Sequence, residues 1–389
     1  MSSAKWKILP FETAVQSRGA GSSGLAQKEW LAQGKFPIIG QGAEDIEGWT
    51  DREDLLLTPA PAVVLYGGHT RRAKHVSQPF VPGPNVKILQ PSSAIDSKFL
   101  FYFLTYLPIE SKGYADHFPL VRKCDVPVPP LPEQQRIVGI LDEAFEGIAT
   151  AKANAEKNVQ NARELYASVL ENLFTDSVDD CETVEFGELI DTLTDYHANG
   201  SYEVLKQNVE LRDTEDFAWM VRSTDFEKDF RNEMRYITKA AYDFLTKSRI
   251  FGGEIIMSKI GNAGKVYLMP EITRPCSLAM NLFLIRLNED RASNKYVYRY
   301  LKSKRGEAQI LAKLKGVATQ TITKESVRSL RIPLLPRDIQ DRFVSKLENV
   351  EAETQRLEAI YRQKLADLDE LKKTVLQKAF NGELAEVHP

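Results

Sequence analysis

The chain has 389 residues, 43% of them hydrophobic, with 51 Lys and Arg against 54 Asp and Glu for a formal net charge of −3. That length and apolar content suit two cores rather than one. No stretch approaches the roughly 18 apolar residues that span a bilayer, and the near-neutral balance excludes indiscriminate coating of nucleic acid while leaving room for a local basic face. Three cysteines, Cys124, Cys181 and Cys276, are far apart and odd in number, so neither a disulfide framework nor a Cys-x-x-Cys metal site is indicated. With no apolar signal-like stretch at the start, a cytoplasmic location is expected.

In chain order, residues 1–126 form the first globular stretch. The run Ala62-Val63-Val64-Leu65-Tyr66, followed by Gly67-Gly68, predicts a strand and a turn. The turn continues into a basic loop in which His69, Arg71, Arg72 and Lys74 are candidate contacts for phosphates or base edges. The aromatic run Phe99 to Leu104 reads as a buried helix. Pro127, Pro129, Pro130 and Pro132 then impose a stiff extended lead-in that opens residues 127–180, a long helix with Glu133 in its first turn.

Residues 181–331 are the second globular stretch. Glu254-Ile255-Ile256-Met257 predicts a strand, and the loop after it offers Ser258, Lys259, Asn262 and Lys265 on a glycine-loosened backbone. In Lys315-Gly316-Val317-Ala318-Thr319-Gln320-Thr321, Gln320 suits adenine and Thr319 or Thr321 a phosphate. Ordinary solvated turns would carry the same residue types. Residues 332–389 are a second long helix and tail.

The two halves repeat each other. Val126-Pro127-Val128 through Arg136-Ile137-Val138 returns as Ile332-Pro333-Leu334 through Arg342-Phe343-Val344, and Phe174 meets Phe380 without a gap. Further back, Lys98-Phe99-Leu100-Phe101 matches Lys295-Tyr296-Val297-Tyr298, and Lys112-Gly113-Tyr114-Ala115 matches Lys315-Gly316-Val317-Ala318. Heptad spacing marks Leu141, Ile148, Asn158, Leu165 and Val169 as the seam of one helix and Leu347, Leu357, Lys364, Leu371 and Val375 as that of the other. The expected fold is mixed α/β (α+β): two duplicated globular domains separated by two long helices paired as an antiparallel intramolecular coiled coil. Asn158 and Lys364 are expected near its middle.

No catalytic constellation emerges. His69, His75, His117, His197 and His388 show no metal-ligand spacing, and no phosphate-binding glycine loop opens a helix. Acidic-x-Lys triplets such as Asp96-Ser97-Lys98 are short enough to arise by chance. A coiled-coil adaptor whose duplicated domains bind proteins stays open on these residues alone.

The proline stop, Leu131-Pro132-Glu133-Gln134-Gln135-Arg136-Ile137-Val138 and the C-terminal Lys378-Ala379-Phe380-Asn381-Gly382-Glu383-Leu384 resemble the conserved regions of the specificity subunits of type I restriction-modification enzymes. Gly253-Glu254-Ile255-Ile256-Met257-Ser258-Lys259 is similar to a recurrent segment of that family's target recognition domains. The second repeat departs from the pattern, with Arg337-Asp338-Ile339-Gln340 where Leu-Pro-Glu-Gln is usual. The resemblance implies a non-catalytic DNA-binding subunit. Its two target recognition domains each read half of a bipartite site, and its helices dock two methylation subunits. It further implies motor-nuclease restriction subunits in the complex, with S-adenosylmethionine, ATP and Mg used by the partners and no cofactor bound by this chain.

Overall fold

The computed structural model describes residues 6–20, 25–176, 181–231, 233–316 and 319–384. It contains two compact units, Met1–Lys157 with Tyr361–Pro389, and Asn158–Ile360. The first holds strands β1 (Lys7–Pro10), β2 (Val15–Gly19), β3 (Phe36–Ile39), β4 (Gly48–Thr50), β5 (Val63–Gly67), β6 (Ala73–Val76), β7 (Val81–Pro82), β8 (Val86–Pro91) and β9 (Asp125–Val128). Its helices are α1 (Phe11–Ala14), α2 (Ser97–Tyr106), α3 (Phe118–Val121) and the start of α4 (Leu131–Asp176).

The second unit holds β10 (Thr183–Glu185), β11 (Ile190–Asp195), β12 (Ala218–Val221), β13 (Tyr236–Ile237), β14 (Arg249–Ile250), β15 (Ile255–Ser258), β16 (Val266–Leu268), β17 (Cys276–Leu278), β18 (Leu282–Leu287) and β19 (Arg331–Pro333). Its helices are α5 (Tyr202–Asn208), α6 (Ser223–Glu227), α7 (Lys239–Phe244), α8 (Asn294–Leu301), α9 (Lys304–Lys313), α10 (Lys324–Arg328) and the start of α11 (Arg337–Phe380). Each long helix begins in one unit and finishes in the other.

The topology repeats sheet by sheet. An antiparallel sheet β2-β8-β5-β6 in the first unit corresponds to β11-β18-β15-β16 in the second. A second sheet with one parallel pairing occurs in each, three-stranded as β4-β3-β7 and extended by a fourth strand as β13-β12-β17-β14. In both units an N-terminal strand pairs antiparallel with the strand just before a long helix, β1 with β9 and β10 with β19.

The apolar runs of β5 and β15 are continuous because these strands are buried on both faces. Side chains alternate across a strand, so Val64 and Tyr66 enter the core that also holds α2 and the long helices, while Val63 and Leu65 enter a second cluster with Ile39 and Phe80. In the other unit Ile255 and Met257 face one core and Ile256 another.

Within each unit the long helices run antiparallel. In the first, Arg136 donates to the Leu384 carbonyl, Lys372 lies over the Phe145 ring and Lys152 pairs with Asp369, so partners fall in number along α11 as they rise along α4. In the second, Arg163 pairs with Glu358 and Phe174 meets Phe343 edge-on. Leu141, Ile148 and Leu347 are buried, and Asn158, Val169, Leu357 and Val375 half-buried.

Leu165, Lys364 and Leu371 depart from the expected seam and are exposed, with half-buried Tyr166, Leu365 and Lys372 in the adjoining positions. An α-helix turns in 3.6 residues and drifts about 20° per heptad against a strict 3.5 repeat, so after several heptads the inner position moves one residue along. Lys364 therefore leaves the seam.

A buried glutamine clamps each helix start. Gln134 donates to the Ala94 and Pro129 carbonyls at 2.8 and 2.7 Å and accepts from the Asp96 amide at 2.8 Å. Gln340 repeats this with Arg291, Leu335 and Ser293 at 3.0, 2.8 and 2.8 Å. In the first triplet, Asp96 caps α2 by accepting from the Lys98 and Phe99 amides, and Lys98 pairs with Asp142, so these residues hold the fold.

Candidate nucleic-acid interface

In the first unit, β5 and β6 form a hairpin whose turn is met by the loop running from Ile109 to His117. The His117 amide donates to the Gly68 carbonyl at 2.8 Å, and its imidazole Nδ1 approaches the same oxygen at 3.0 Å. Because Nε2 accepts from the Lys112 amide at 2.9 Å, the ring proton belongs on Nδ1, which donates to Gly68. A Cβ at Gly68 would lie 2.0 Å from Asp116 Oδ1, so any larger residue there has to displace the carboxylate that caps the Phe118 amide.

Arg71 sits in the turn at φ 60° and donates to the Ile109 carbonyl at 2.8 Å. The His69 ring stacks on Tyr114 with centroids 4.8 Å apart and planes within 11°. Arg72 is exposed, with no side-chain partner among the described residues. Lys74 is withdrawn: its side chain is only 10% exposed, pairs with Glu47 at 3.0 Å and donates to the Glu44 carbonyl.

In the second unit the β15–β16 hairpin meets the loop leading from α9 to α10 in the same manner. The Ile322 amide donates to the Lys259 carbonyl at 3.1 Å, and Ile260 bridges to Thr321, which also exchanges two backbone hydrogen bonds with Lys315. Gly264 has φ +82°, and a Cβ there would come within 2.3 Å of Ile310. The two candidate loops thus border one cleft of about 450 Å³, with Asn262, Ala263 and Lys265 from the hairpin and Ile310, Leu311, Leu314 and Gln320 among its lining.

Asn262 and Gln320 are exposed in this cleft, Thr319 and Lys315 are exposed on the same loop as Gln320, and Thr321 is half-buried. Ser258 is buried, its hydroxyl donating to the Ile260 carbonyl at 3.3 Å. Lys259 pairs with Asp195 at 3.2 Å, a carboxylate that also faces Lys324 at 3.7 Å. Lys265 pairs with Glu227 at 2.8 Å. This hydrogen bond raises Lys265 above the ordinary lysine range and holds Glu227 below the ordinary carboxylate range. Val317, Ala318 and His388 lie outside the described residues.

Sequence reading selected these loops separately, and the fold brings them together. It missed the counter-charges Glu47, Asp195 and Glu227, which come from distant chain segments and neutralise three of the chosen lysines. It also missed Tyr114, although the repeat match placed that residue opposite Val317. Among the described residues no His, Cys, Asp or Glu group is placed to hold a metal ion, and no helix is long and apolar enough to cross a membrane.

Residues 23–160 and 179–365 match the type I restriction modification DNA specificity domain, which therefore occurs twice. The chain is 20% identical over 323 residues to the type I restriction enzyme MjaVIII specificity subunit of Methanocaldococcus jannaschii, covering 77% of this chain and 73% of that protein. It is 21% identical over 277 residues to the EcoBI specificity subunit of Escherichia coli, covering 67% of this chain and 58% of that protein. Among solved structures, the HsdS subunit from Thermoanaerobacter tengcongensis superposes with a TM-score of 0.58 at 15% identity over 98% of each chain. A chain from a study of assembly and conformational transition of the type I R-M system gives 0.68 at 16% identity, over 97% of this chain and 100% of that one.

Proposed function

The chain belongs to the specificity subunits of type I restriction-modification systems, and on that premise we propose that each unit reads one half of a bipartite DNA site while the long helices set the gap and dock two adenine-methylating subunits. The observation that carries this reading is the same two-loop constellation in both units, a sheet hairpin pinned to a second loop. Polar groups emerge from both: Arg72 in one unit, and Asn262, Lys265, Lys315 and Gln320 in the other. Phosphate contacts position such a face and amides read base edges. Catalysis, with S-adenosylmethionine, ATP and Mg, belongs in this reading to the methylation and restriction subunits. The purified chain then neither methylates nor cuts DNA.

The surface pair of Lys265 and Glu227, both about two-fifths exposed, contributes little to stability, so a phosphate can replace Glu227 at small cost. Lys265→Ala is expected to weaken binding of the assembled methyltransferase to all sequences and to lower the salt slope by about one. Gln320→Ala is expected to cost about 1 to 3 kcal/mol at one base position only. The measurement is binding to single-base variants of the site at several salt concentrations. Unchanged affinity, slope and base preference in both variants would place the DNA face elsewhere.

A further inference from the structure

We propose that Tyr114, braced by His69, is a stacking residue that packs its free face on a base at a deformed step of the half-site bound by the first unit. The proposal rests on the DNA-specificity reading above and adds to it a ligand class, an unstacked base, for a residue outside the loops chosen from sequence.

Tyr114 is 87% exposed, the most exposed large hydrophobic side chain among the described residues. Such exposure usually accompanies a mobile side chain, yet here one ring face is covered by the parallel imidazole of His69 at 4.8 Å. The loop beneath is fixed by three hydrogen bonds, from the His117 amide and imidazole to Gly68 and from the Lys112 amide to His117. The ring is therefore oriented before any ligand arrives, with one face left to offer. Preorganisation of this kind lowers the ordering cost of binding.

The charges around it fit a nucleic acid. Arg72 on the hairpin and Lys112 on the loop are exposed and have no side-chain partner among the described residues. Of the loop's acids, Asp116 caps the Phe118 amide at 3.0 Å, and Glu110 is exposed. An aromatic face carried on segments that also bear exposed cations suits an unstacked base beside its phosphates. The second repeat has Val317 at the matching sequence position, so the device belongs to the first half-site alone.

The test uses the full chain assembled with its methylation subunits and duplexes carrying 2-aminopurine at successive positions of the first half-site, excluding the methylated adenine. A rise in fluorescence on binding is expected at one step for the wild type and for Tyr114→Phe, which keeps the ring. Tyr114→Ala is expected to lose that rise and to bind roughly 5- to 150-fold more weakly, with an unchanged salt slope and unchanged preference at the second half-site. Equal affinity and equal fluorescence for Tyr114→Ala overturn the proposal. Failure of Tyr114→Ala to assemble with the methylation subunits also overturns it, since the ring would then be a protein contact. A wild-type complex with no sequence-selective DNA binding sinks the specificity reading itself.

Discussion

Leu141→Asp is expected to unfold the first unit, whereas Leu371→Asp, a residue of the same heptad reading, is expected to leave it intact. Leu141 is 0% exposed in the core shared by α2, α4 and α11, and a carboxylate there meets apolar neighbours including Ile137 and Leu376. An unpaired buried charge together with lost packing costs about 4 kcal/mol or more, a large share of the roughly 5 to 15 kcal/mol that holds a domain. Leu371 is 47% exposed, so aspartate there falls within about 0.5 kcal/mol of wild type. Urea unfolding followed separately by probes in each unit decides the matter. Equal loss from both substitutions would return Leu371 to the seam.

Gln134→Ala and Gln340→Ala are each expected to cost about 2 kcal/mol or more, because each strands one amide and the Pro129 or Leu335 carbonyl at roughly 1 to 3 kcal/mol per buried group. Glutamate should not rescue either site. Its carboxylate accepts the Asp96 or Ser293 amide but cannot donate to the two carbonyls that the amide nitrogen serves. Thermal unfolding reads the loss, and hydrogen exchange at the Asp96 and Ser293 amides localises it. Wild-type protection at these amides in the alanine variants would contradict the clamp.

Residues that repeat or run continuously were legible in the sequence. β5 and β15 announced themselves because burial on both faces makes a strand uniformly apolar, and α4 and α11 because proline stops and heptads outlast any loop. Strands of two residues, such as Tyr236–Ile237 and Arg249–Ile250, are shorter than a recognisable alternation and came only from the structure. Seam positions several heptads into a helix were misplaced by helical drift, as Lys364 shows. Gln134 and Gln340 stood at matching positions of the repeat, but their clamping role needed the loops that precede α2 and α8.

At the candidate interface, residue type was legible and availability was not. Lys74, Lys259 and Lys265 look alike in sequence, yet Glu47, Asp195 and Glu227 occupy them to different degrees, and only Lys265 stays substantially open to solvent. Pairing of this kind is set by which loops the sheets bring together.

The central claim is that two units each read half of a DNA site across a gap set by the helices, and mapping methylated adenines tests it most directly. The chain is expressed with its methylation subunits, as wild type and with one heptad added to both α4 and α11. A heptad lengthens a helix by roughly 10 Å, about three base pairs at ~3.4 Å each. The account predicts a bipartite methylated site whose gap lengthens by about three base pairs while both halves keep their sequences; a single contiguous site, or an unchanged gap in an active variant, contradicts it.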